Sequence, residues 1–241
     1  MSDLAPDEVH LWFSAPEQCR HQVETYWSWL DERERQRSSR FRFDRDRHSY
    51  LVAHGLLRSC LSRYGGLPPG QWSFSTNAYG RPEIAAQRPP LRFNLSRARG
   101  LVACAVTRSA DIGVDVEAVG RAADLAAIAR TSFTPKEQAD LAQAEGPRQR
   151  FFQLWTLKEA YVKAIGLGLS LPLQSLEFRV GADEPATIEF SALAEPKPAE
   201  GWQFFLLKPT AEHCLAIAVR SGLSMQVQAG RAVPGESFQM I

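Results

Sequence analysis

The sequence predicts an α+β fold of two pseudo-symmetric subdomains, and the order of its predicted elements carries this prediction. Each half of the 241-residue chain reads as a strand, then helices, then further strands. The apolar run "LVACAV" ends the first half, and a similar run, "CLAIAV", closes the strands of the second. We therefore expect two small, mainly antiparallel sheets, each packed with helices, and an active site in the cleft between them.

The first half, residues 1–110, begins with a strand, "VHLWF". Helical stretches follow from about Gln18 to Arg40 and from about Asp44 to Arg63, and the breakers in "YGGLPPG" end the second one. Alternating apolar residues then predict three strands, which are "QWSFS", "LRFNLS" and "LVACAVT".

The second half, residues 111–225, opens with the strand "IGVDVE" and continues through helical stretches near residues 121–144 and 148–165. Four strands follow, which are "SLEFRV", "ATIEF", "WQFFLL" and "CLAIAV". The polar, Pro-containing segment "AEPKPAEG" at 194–201 predicts an exposed loop. We expect residues 226–241 to form a loosely attached tail.

Composition and charge narrow the class of protein. The chain has 44% hydrophobic and 23% charged residues and a net charge of +1, which is typical of a globular protein and argues against general nucleic-acid binding. It shows no signal-peptide pattern and no apolar run of membrane-spanning length. We therefore expect a cytoplasmic protein that binds neither membranes nor nucleic acid. The four cysteines form no C-x-x-C pair, and we expect them to be buried small hydrophobes. They are Cys19, Cys60, Cys104 and Cys214.

Charge is unevenly distributed between the halves. Residues 1–110 carry sixteen Arg, no Lys and eleven acidic residues, a net charge of +5, whereas the remainder carries −4. A cationic half facing an anionic one suits a ligand that combines phosphates with a metal ion. A solvated, arginine-rich surface would give the same numbers, so both interpretations stay open.

Two acidic residues share one face of the strand "IGVDVE". Because strand side chains alternate, Val114 and Val116 face the core while Asp115 and Glu117 emerge together on the opposite side. Their repulsion is relieved by a hard divalent cation such as Mg²⁺, which one or two carboxylates and phosphate oxygens typically hold. The alternative is an exposed edge with two solvated acids.

The segment "LWTLKEAYVKAIG", residues 154–166, predicts a helix that ends at Gly166. Glu159 and Lys163 are four residues apart and share a face, as in an ordinary surface ion pair. In the functional interpretation, Glu159 is a third metal ligand or a base, and Lys163 lies beside a leaving phosphate.

Several arginines could bind phosphate. Arg33 and Arg37 share a helical face, Arg81 precedes Pro82 after a turn, and Arg97 follows the strand end "FNLS". The turn at residues 79–82 also allows close approach of the backbone to a flat ligand such as a purine. Each arginine alone would pass for a surface charge.

In chain order, "YGRPEI", "FNLS", "GVDVE", "FTPKE" and "WTLKEAYVK" resemble the motifs of the Sfp-type 4′-phosphopantetheinyl transferases. The resemblance covers roughly residues 30–180 and implies the fold of that family, with two pseudo-symmetric halves. It implies a monomeric enzyme that moves the phosphopantetheine arm of coenzyme A to a serine hydroxyl of an apo acyl or peptidyl carrier protein. Adenosine 3′,5′-bisphosphate is released, and the carrier serves fatty-acid, polyketide or nonribosomal peptide synthesis.

The resemblance also implies roles for individual residues. Asp115, Glu117 and Glu159 would bind Mg²⁺, and Lys163 would contact the phosphates and assist departure of the bisphosphate. Glu159, acting directly or through a metal-bound water, is the first choice for the base that deprotonates the serine, and Glu137 is the second. The coenzyme A site would comprise Arg37 at the 3′-phosphate, Gly80, Arg81 and Pro82 lining the adenine and 3′-phosphate site, and Ser96 and Arg97 near the phosphates.

The chain departs from the family pattern at two positions. Arg97 stands where a histidine is usual, and Glu34 stands where a cation is expected, so Arg33 is proposed to cover that surface. Two other functions remain open: a protein that binds coenzyme A without transferring its arm, and a metal-dependent phosphatase or pyrophosphatase acting on a small nucleotide.

Overall fold

The computed structural model describes residues 4–85, 91–181, 186–192 and 201–241, and its architecture is α+β, as the sequence predicts. The helices are α1 (Val23–Trp29), α2 (Glu32–Ser39), α3 (Asp44–Gly65), α4 (Leu125–Ser132), α5 (Pro135–Gln143) and α6 (Pro147–Ile165). The strands of the first half are β1 (Glu8–Ser14), β2 (Phe74–Thr76), β3 (Pro82–Ile84), β4 (Arg92–Ala98) and β5 (Leu101–Thr107). The later strands are β6 (Asp111–Ala118), β7 (Leu176–Val180), β8 (Ile188–Ala192), β9 (Trp202–Leu207), β10 (His213–Arg220), β11 (Gln226–Val233) and β12 (Ser237–Met240). The loop predicted at 194–201 lies outside the described residues except for Gly201.

The first sheet has the order β12-β11-β1-β5-β4 and is antiparallel except where β1 pairs with β11 in parallel. The prediction of a loose tail at 226–241 is therefore wrong, because this segment forms two of the five strands. Its attachment rests on burial: Ala232 joins the core under α3, and the ring of Phe238 meets Trp12 edge to face at 4.8 Å.

The helical stretch predicted from Gln18 to Arg40 is divided in the structure. After a 3₁₀ turn at Pro16–Gln22, α1 ends at Trp29 and α2 begins after Asp31. The Asp31 carboxylate accepts from the Glu34 amide at 2.8 Å, and the Glu34 carboxylate accepts from the Asp31 amide at 2.9 Å. This capping box satisfies free amides at the start of a helix and so places the boundary here.

The second sheet has the order β6-β10-β9, and α6 packs on it with the antiparallel hairpin of β7 and β8 alongside. The packing is close at Gly113, where an added Cβ would lie 2.0 Å from the Ala160 carbonyl oxygen. The glycine of "GVDVE" thus brings α6 against the strand that carries Asp115 and Glu117.

The two sheets pack face to face through a shared apolar core. Val9, Leu11 and Phe13 of β1 meet Val114 and Val116 of β6 in one buried cluster. The helix α3 covers the outer face of the first sheet, and α6 that of the second. All four cysteines are buried and free, which confirms that prediction. Within the described ranges, no helix combines the length and the apolar character needed to cross a membrane.

Candidate active site

A cavity of about 440 Å³ lies where β4 of the first sheet meets β6 of the second. Most of the residues that the sequence assigned to a site line it. They are Arg33, Arg37, Gly80, Pro82, Ser96, Arg97, Asp115, Glu117 and Lys163. The lining also includes the apolar side chains of Ala53, Leu57, Phe74 and Leu95. Two charged clusters thus line one cavity. Arg97 lies near Tyr50 and Arg37 in what we call the arginine end, and Lys163 lies against Asp115 and Ser96 in what we call the acidic end.

At the acidic end, Asp115 and Lys163 form a close pair. The Lys163 Nζ lies 2.6 Å from Asp115 Oδ1 and also donates to Ser96 Oγ at 2.9 Å and to the Val114 carbonyl oxygen at 3.1 Å. Ser96 Oγ donates to the same Asp115 oxygen at 3.0 Å. The other oxygen, Oδ2, is buried and has no hydrogen-bond partner among the described residues. This oxygen is left with acceptor capacity beside the cavity.

Side chains of the first sheet hold β6 in place at this point. Asn94 Oδ1 accepts from the Val114 amide at 2.9 Å, and Ser96 Oγ accepts from the Val116 amide at 3.2 Å. Both residues lie on β4, so the "FNLS" motif binds the edge of one sheet to the edge of the other. As the strand alternation predicts, Asp115 and Glu117 emerge together and both line the cavity.

Glu117 and Glu159 are held in a crowded acidic environment. Trp155 Nε1 donates to Glu117 Oε1 at 3.1 Å, and Arg121 lies 3.4 Å from the same oxygen. Burial, and then the charge of Asp115, raise the pKa of Glu117, and the same two causes raise the pKa of Glu159. Glu159 lies beside the cavity rather than in its lining.

The fit of this end to Mg²⁺ rests on its charge and on the free oxygen of Asp115. Asp115 repels both Glu117 and Glu159 here, and a cation would relieve that repulsion. Nowhere in the described ranges, however, do three or more His, Cys, Asp or Glu side chains form a group that could hold a metal ion. Asp115 and Glu117 fit the pattern of one or two protein carboxylates completed by water and phosphate oxygens. The set of three ligands stays a prediction.

The arginines gather at the opposite end. Arg97, on β4, places its guanidinium 4.9 Å from the ring centre of Phe41 and 5.7 Å from that of Tyr50. Partial burial, and then the charge of Arg37, lower the pKa of Arg97. Two guanidinium groups that repel each other at a cavity wall are typical of an anion site.

Beside these arginines lies a buried cluster that the sequence analysis missed. Glu34 is only 9% exposed and pairs with Arg58 and His54, both on α3. Burial opposes ionisation of Glu34, but hydrogen bonds and charges from His54 and Arg58 outweigh it and hold the pKa of Glu34 at about 2. The signal that could have revealed this cluster is the spacing of Tyr50, His54 and Arg58, four residues apart along one apolar helical face.

Two predicted site residues have other partners. The Arg81 guanidinium donates to the carbonyl oxygens of Ala164 and Ile112 and is absent from the cavity lining, although Gly80 and Pro82 on either side are present. Glu137 is 1% exposed and forms an ion pair with Lys158 at 2.8 Å. The choice of Glu137 as second base is corrected, because its carboxylate is enclosed within the second half, away from the cavity.

Two family models match consecutive parts of the chain. A model described as the 4′-phosphopantetheinyl transferase superfamily matches residues 111–218. A second, described as the N-terminal part of 4′-phosphopantetheinyl transferase, matches residues 15–109.

Similar proteins extend over most of the sequence. The 4′-phosphopantetheinyl transferase HetI of Nostoc sp. is 33% identical over 227 residues, covering 92% of each chain. The 4′-phosphopantetheinyl transferase Sfp of Bacillus subtilis is 34% identical over 168 residues, covering 69% of this chain and 73% of that protein. A holo-(acyl-carrier-protein) synthase from Bacillus anthracis, solved in complex with CoA (3′,5′-ADP), is 20% identical with a TM-score of 0.36, covering 46% of this chain and 94% of that one.

Proposed function

Because this chain belongs to the 4′-phosphopantetheinyl transferase family, as an enzyme of the Sfp type, we propose how its cavity performs the reaction. The enzyme transfers the 4′-phosphopantetheine arm of coenzyme A to a serine hydroxyl of an apo carrier protein and releases adenosine 3′,5′-bisphosphate. One observation carries the proposal: a single cavity holds arginines at one end and the Asp115 and Lys163 pair at the other.

The ligand follows from the kinds of group that line the cavity. Arg37 and Arg97 bind the 3′-phosphate, since guanidinium forks match phosphate oxygens. The adenine lies against the apolar side chains of Phe74 and Pro82, where Gly80, with a φ of +85°, lets the turn approach closely. The pyrophosphate then reaches Ser96 and Lys163. Arg33, which is exposed at the rim, adds positive charge at the entrance.

Asp115 and Glu117 would hold the Mg²⁺ ion, with Glu159 as a third ligand or as the base. When bound, the ion neutralises the pyrophosphate and stabilises the charge that develops on the leaving oxygen. The unpartnered Oδ2 of Asp115 supports this assignment, because a buried carboxylate oxygen without a donor is costly unless a ligand satisfies it.

The remaining chemistry falls to two residues of α6. As the serine oxygen attacks the phosphorus that bears the pantetheine arm, its proton passes to the Glu159 carboxylate. Burial, and then the charge of Asp115, raise the pKa of Glu159, which makes its carboxylate a stronger base. The bond from phosphorus to the bisphosphate oxygen breaks, and Lys163 offsets the charge on that oxygen or supplies its proton. Binding places the two oxygens in line.

The partners and setting are part of the same proposal. The enzyme works as a cytoplasmic monomer on acyl or peptidyl carrier proteins of fatty-acid, polyketide or nonribosomal peptide synthesis. The arginine-rich first half attracts an acidic carrier surface electrostatically, which predicts that added salt raises the KM for the carrier.

The test is the intact mass of an apo carrier protein after incubation with the enzyme, coenzyme A and Mg²⁺, beside a sample with EDTA. The proposal predicts a gain of about 340 Da that is lost with EDTA, since the metal assists the displacement. Binding of coenzyme A without a mass gain on several carriers would support a protein that only binds it. Release of inorganic phosphate without a carrier would support a phosphatase or pyrophosphatase.

A further inference from the structure

The wall of the cavity at its arginine end contains an acidic residue, Glu34. A carboxylate at this place should repel a phosphate unless a neighbouring positive charge neutralises it. Its Oε2 accepts from the Asp31 amide at 2.9 Å and is paired with Arg58, whose side chain is 1% exposed. Arg58 is permanently charged, so it cancels the Glu34 charge within the wall. The repulsion is thereby removed, and Glu34 is free to serve as an anchor.

The residue that Glu34 anchors on the cavity side is His54. The His54 Nδ1 lies 2.7 Å from Glu34 Oε1. A carboxylate with a pKa of about 2 is ionised and can only accept, so Nδ1 carries the proton and donates it. The ring is also held by Tyr50, whose ring centre lies 4.1 Å away at an interplanar angle of 37°. Glu34 and Tyr50 therefore fix the orientation of the imidazole.

The second ring nitrogen of His54 remains available to a ligand. His54 lines the cavity, and its Nε2 has no hydrogen-bond partner within the described ranges. With Nδ1 committed to Glu34, Nε2 is the atom that can meet a ligand, and in the protonated ring it is a donor.

Two other cations surround the same aromatic side chain. The Arg97 guanidinium lies 5.7 Å from the Tyr50 ring centre, and the charge of Arg37 acts on both Tyr50 and Arg97. Burial, and then the charge of Glu34, raise the pKa of Tyr50 to about 12, so the phenol is neutral and adds no negative charge. His54, Arg37 and Arg97 thus converge around one neutral ring.

We propose that His54, positioned by Glu34, is a third contact of the 3′-phosphate of coenzyme A and determines the preference for coenzyme A over 3′-dephospho-coenzyme A. This inference rests on the proposed function. The cation that the family resemblance led us to expect at position 34 is supplied from position 54 on the neighbouring helix. Glu34 is a positioning residue, because it acts on the phosphate only through the imidazole.

The test compares the dissociation constants of coenzyme A and 3′-dephospho-coenzyme A by titration calorimetry for the whole enzyme and its variants. His54→Asn keeps a donor at the place of Nδ1 for Glu34 but removes Nε2, so the wall is kept and the contact is lost. We expect it to weaken coenzyme A binding about tenfold, as for loss of one hydrogen bond to a charged group, and 3′-dephospho-coenzyme A binding less than about twofold. His54→Gln, which returns an amide nitrogen near the place of Nε2, should recover part of the loss.

The matched control is His48→Asn, on the same helix, since His48 bonds the Pro16 carbonyl oxygen and does not line the cavity. It should leave the ratio of the two dissociation constants unchanged. An equal loss for both ligands in His54→Asn, or no loss for either, would overturn the role of His54. Failure of the unmodified enzyme to bind coenzyme A at all would instead refute the proposed function.

Discussion

Helix α6 carries two lysines that each pair with a carboxylate, and the two pairs differ in their surroundings. Lys163 lies 2.6 Å from Asp115, and Lys158 lies 2.8 Å from Glu137. The side chains of Lys158 and Glu137 are both 0% exposed, whereas Lys163 is 29% exposed and borders the cavity. The same chemical pair is therefore sealed at one place and open at the other.

The sealed pair is also saturated with hydrogen bonds. Glu137 accepts from the amides of Thr134 and Phe178 at 2.7 and 2.8 Å, and Lys158 donates to the carbonyl oxygens of Leu173 and Leu176. Asp115, by contrast, keeps one buried oxygen without a partner in the described part of the chain. The difference teaches that unused bonding capacity beside a cavity, rather than the presence of an ion pair, marks the reactive site.

The largest effect on stability is expected at the sealed pair. Lys158→Met leaves the Glu137 charge buried without its partner and should lower the free energy of unfolding by about 3–5 kcal/mol. Urea denaturation at pH 7 measures it. The double variant Lys158→Met with Glu137→Leu should recover most of the loss, because apolar residues can replace a buried pair. An unfolding free energy unchanged in Lys158→Met would mean that the pair is not structural.

A third pair, Glu34 with Arg58, sharpens the comparison through its pH dependence. Glu34 stays ionised in the folded state down to a pKa of about 2, against 4.5 for the ordinary side chain. Its contribution to the free energy of unfolding is therefore present above about pH 4.5 and is lost as the pH falls toward 2. At pH 7, Glu34→Gln should have a free energy of unfolding about 3 kcal/mol below that of the unmodified protein. This difference should shrink as the pH falls from about 4.5 toward 2. A difference that stays constant from pH 7 to 2.5 would contradict the assignment.

At the open pair, the expected effect is on rate rather than on stability. Lys163→Ala removes the cation beside the leaving oxygen and should lower kcat about 100-fold, with a smaller change in the dissociation constant of coenzyme A. Lys136→Ala is the matched control, since Lys136 pairs with Glu177 on the surface. Weakened coenzyme A binding with an unchanged kcat would make Lys163 an anchor for the ligand only.

The smallest effect is expected at Arg81, which joins the turn beside the cavity to the last turn of α6. Because it donates to the Ala164 carbonyl oxygen next to Lys163, Arg81→Ala should lower kcat/KM about tenfold or less through displaced geometry. The loss should be equal for coenzyme A and 3′-dephospho-coenzyme A. A loss confined to coenzyme A would restore the sequence-based assignment of Arg81 to the 3′-phosphate.

Much of the fold could be predicted from the sequence, because strong periodicity determines it. The predicted ranges agree closely with the structure for two strands, "LVACAVT" and "WQFFLL", and for two helices, α3 and α6. The sequence-based predictions failed where the local structure depends on contacts with residues that are distant in sequence. The strand β11 forms because β1 offers it a free edge, and β12 then pairs with β11. The break before α2 needs the capping box at Asp31.

The candidate site could also be predicted only in part, because some of its residues are recognisable from local pattern and others only from contacts that the fold creates. Motif residues that point at the cavity, such as Asp115 and Glu117, are recognisable from strand alternation. The sequence could not distinguish them from Glu137, because only the fold encloses that carboxylate with Lys158. It also gave no account of His54, whose partner Glu34 lies on another helix.

One side-by-side measurement tests the central claim that Asp115, and not Glu137, belongs to the reacting centre. The rate of mass gain of an apo carrier protein and the urea midpoint are measured for Asp115→Asn and Glu137→Gln. We expect Asp115→Asn to slow transfer at least about 1000-fold with an unchanged or higher midpoint, because it removes a charge needed in the reaction and repulsion in the fold. Glu137→Gln should lower the midpoint and leave the rate per folded molecule intact. A fully active Asp115→Asn enzyme, or a folded but inactive Glu137→Gln enzyme, would contradict the account.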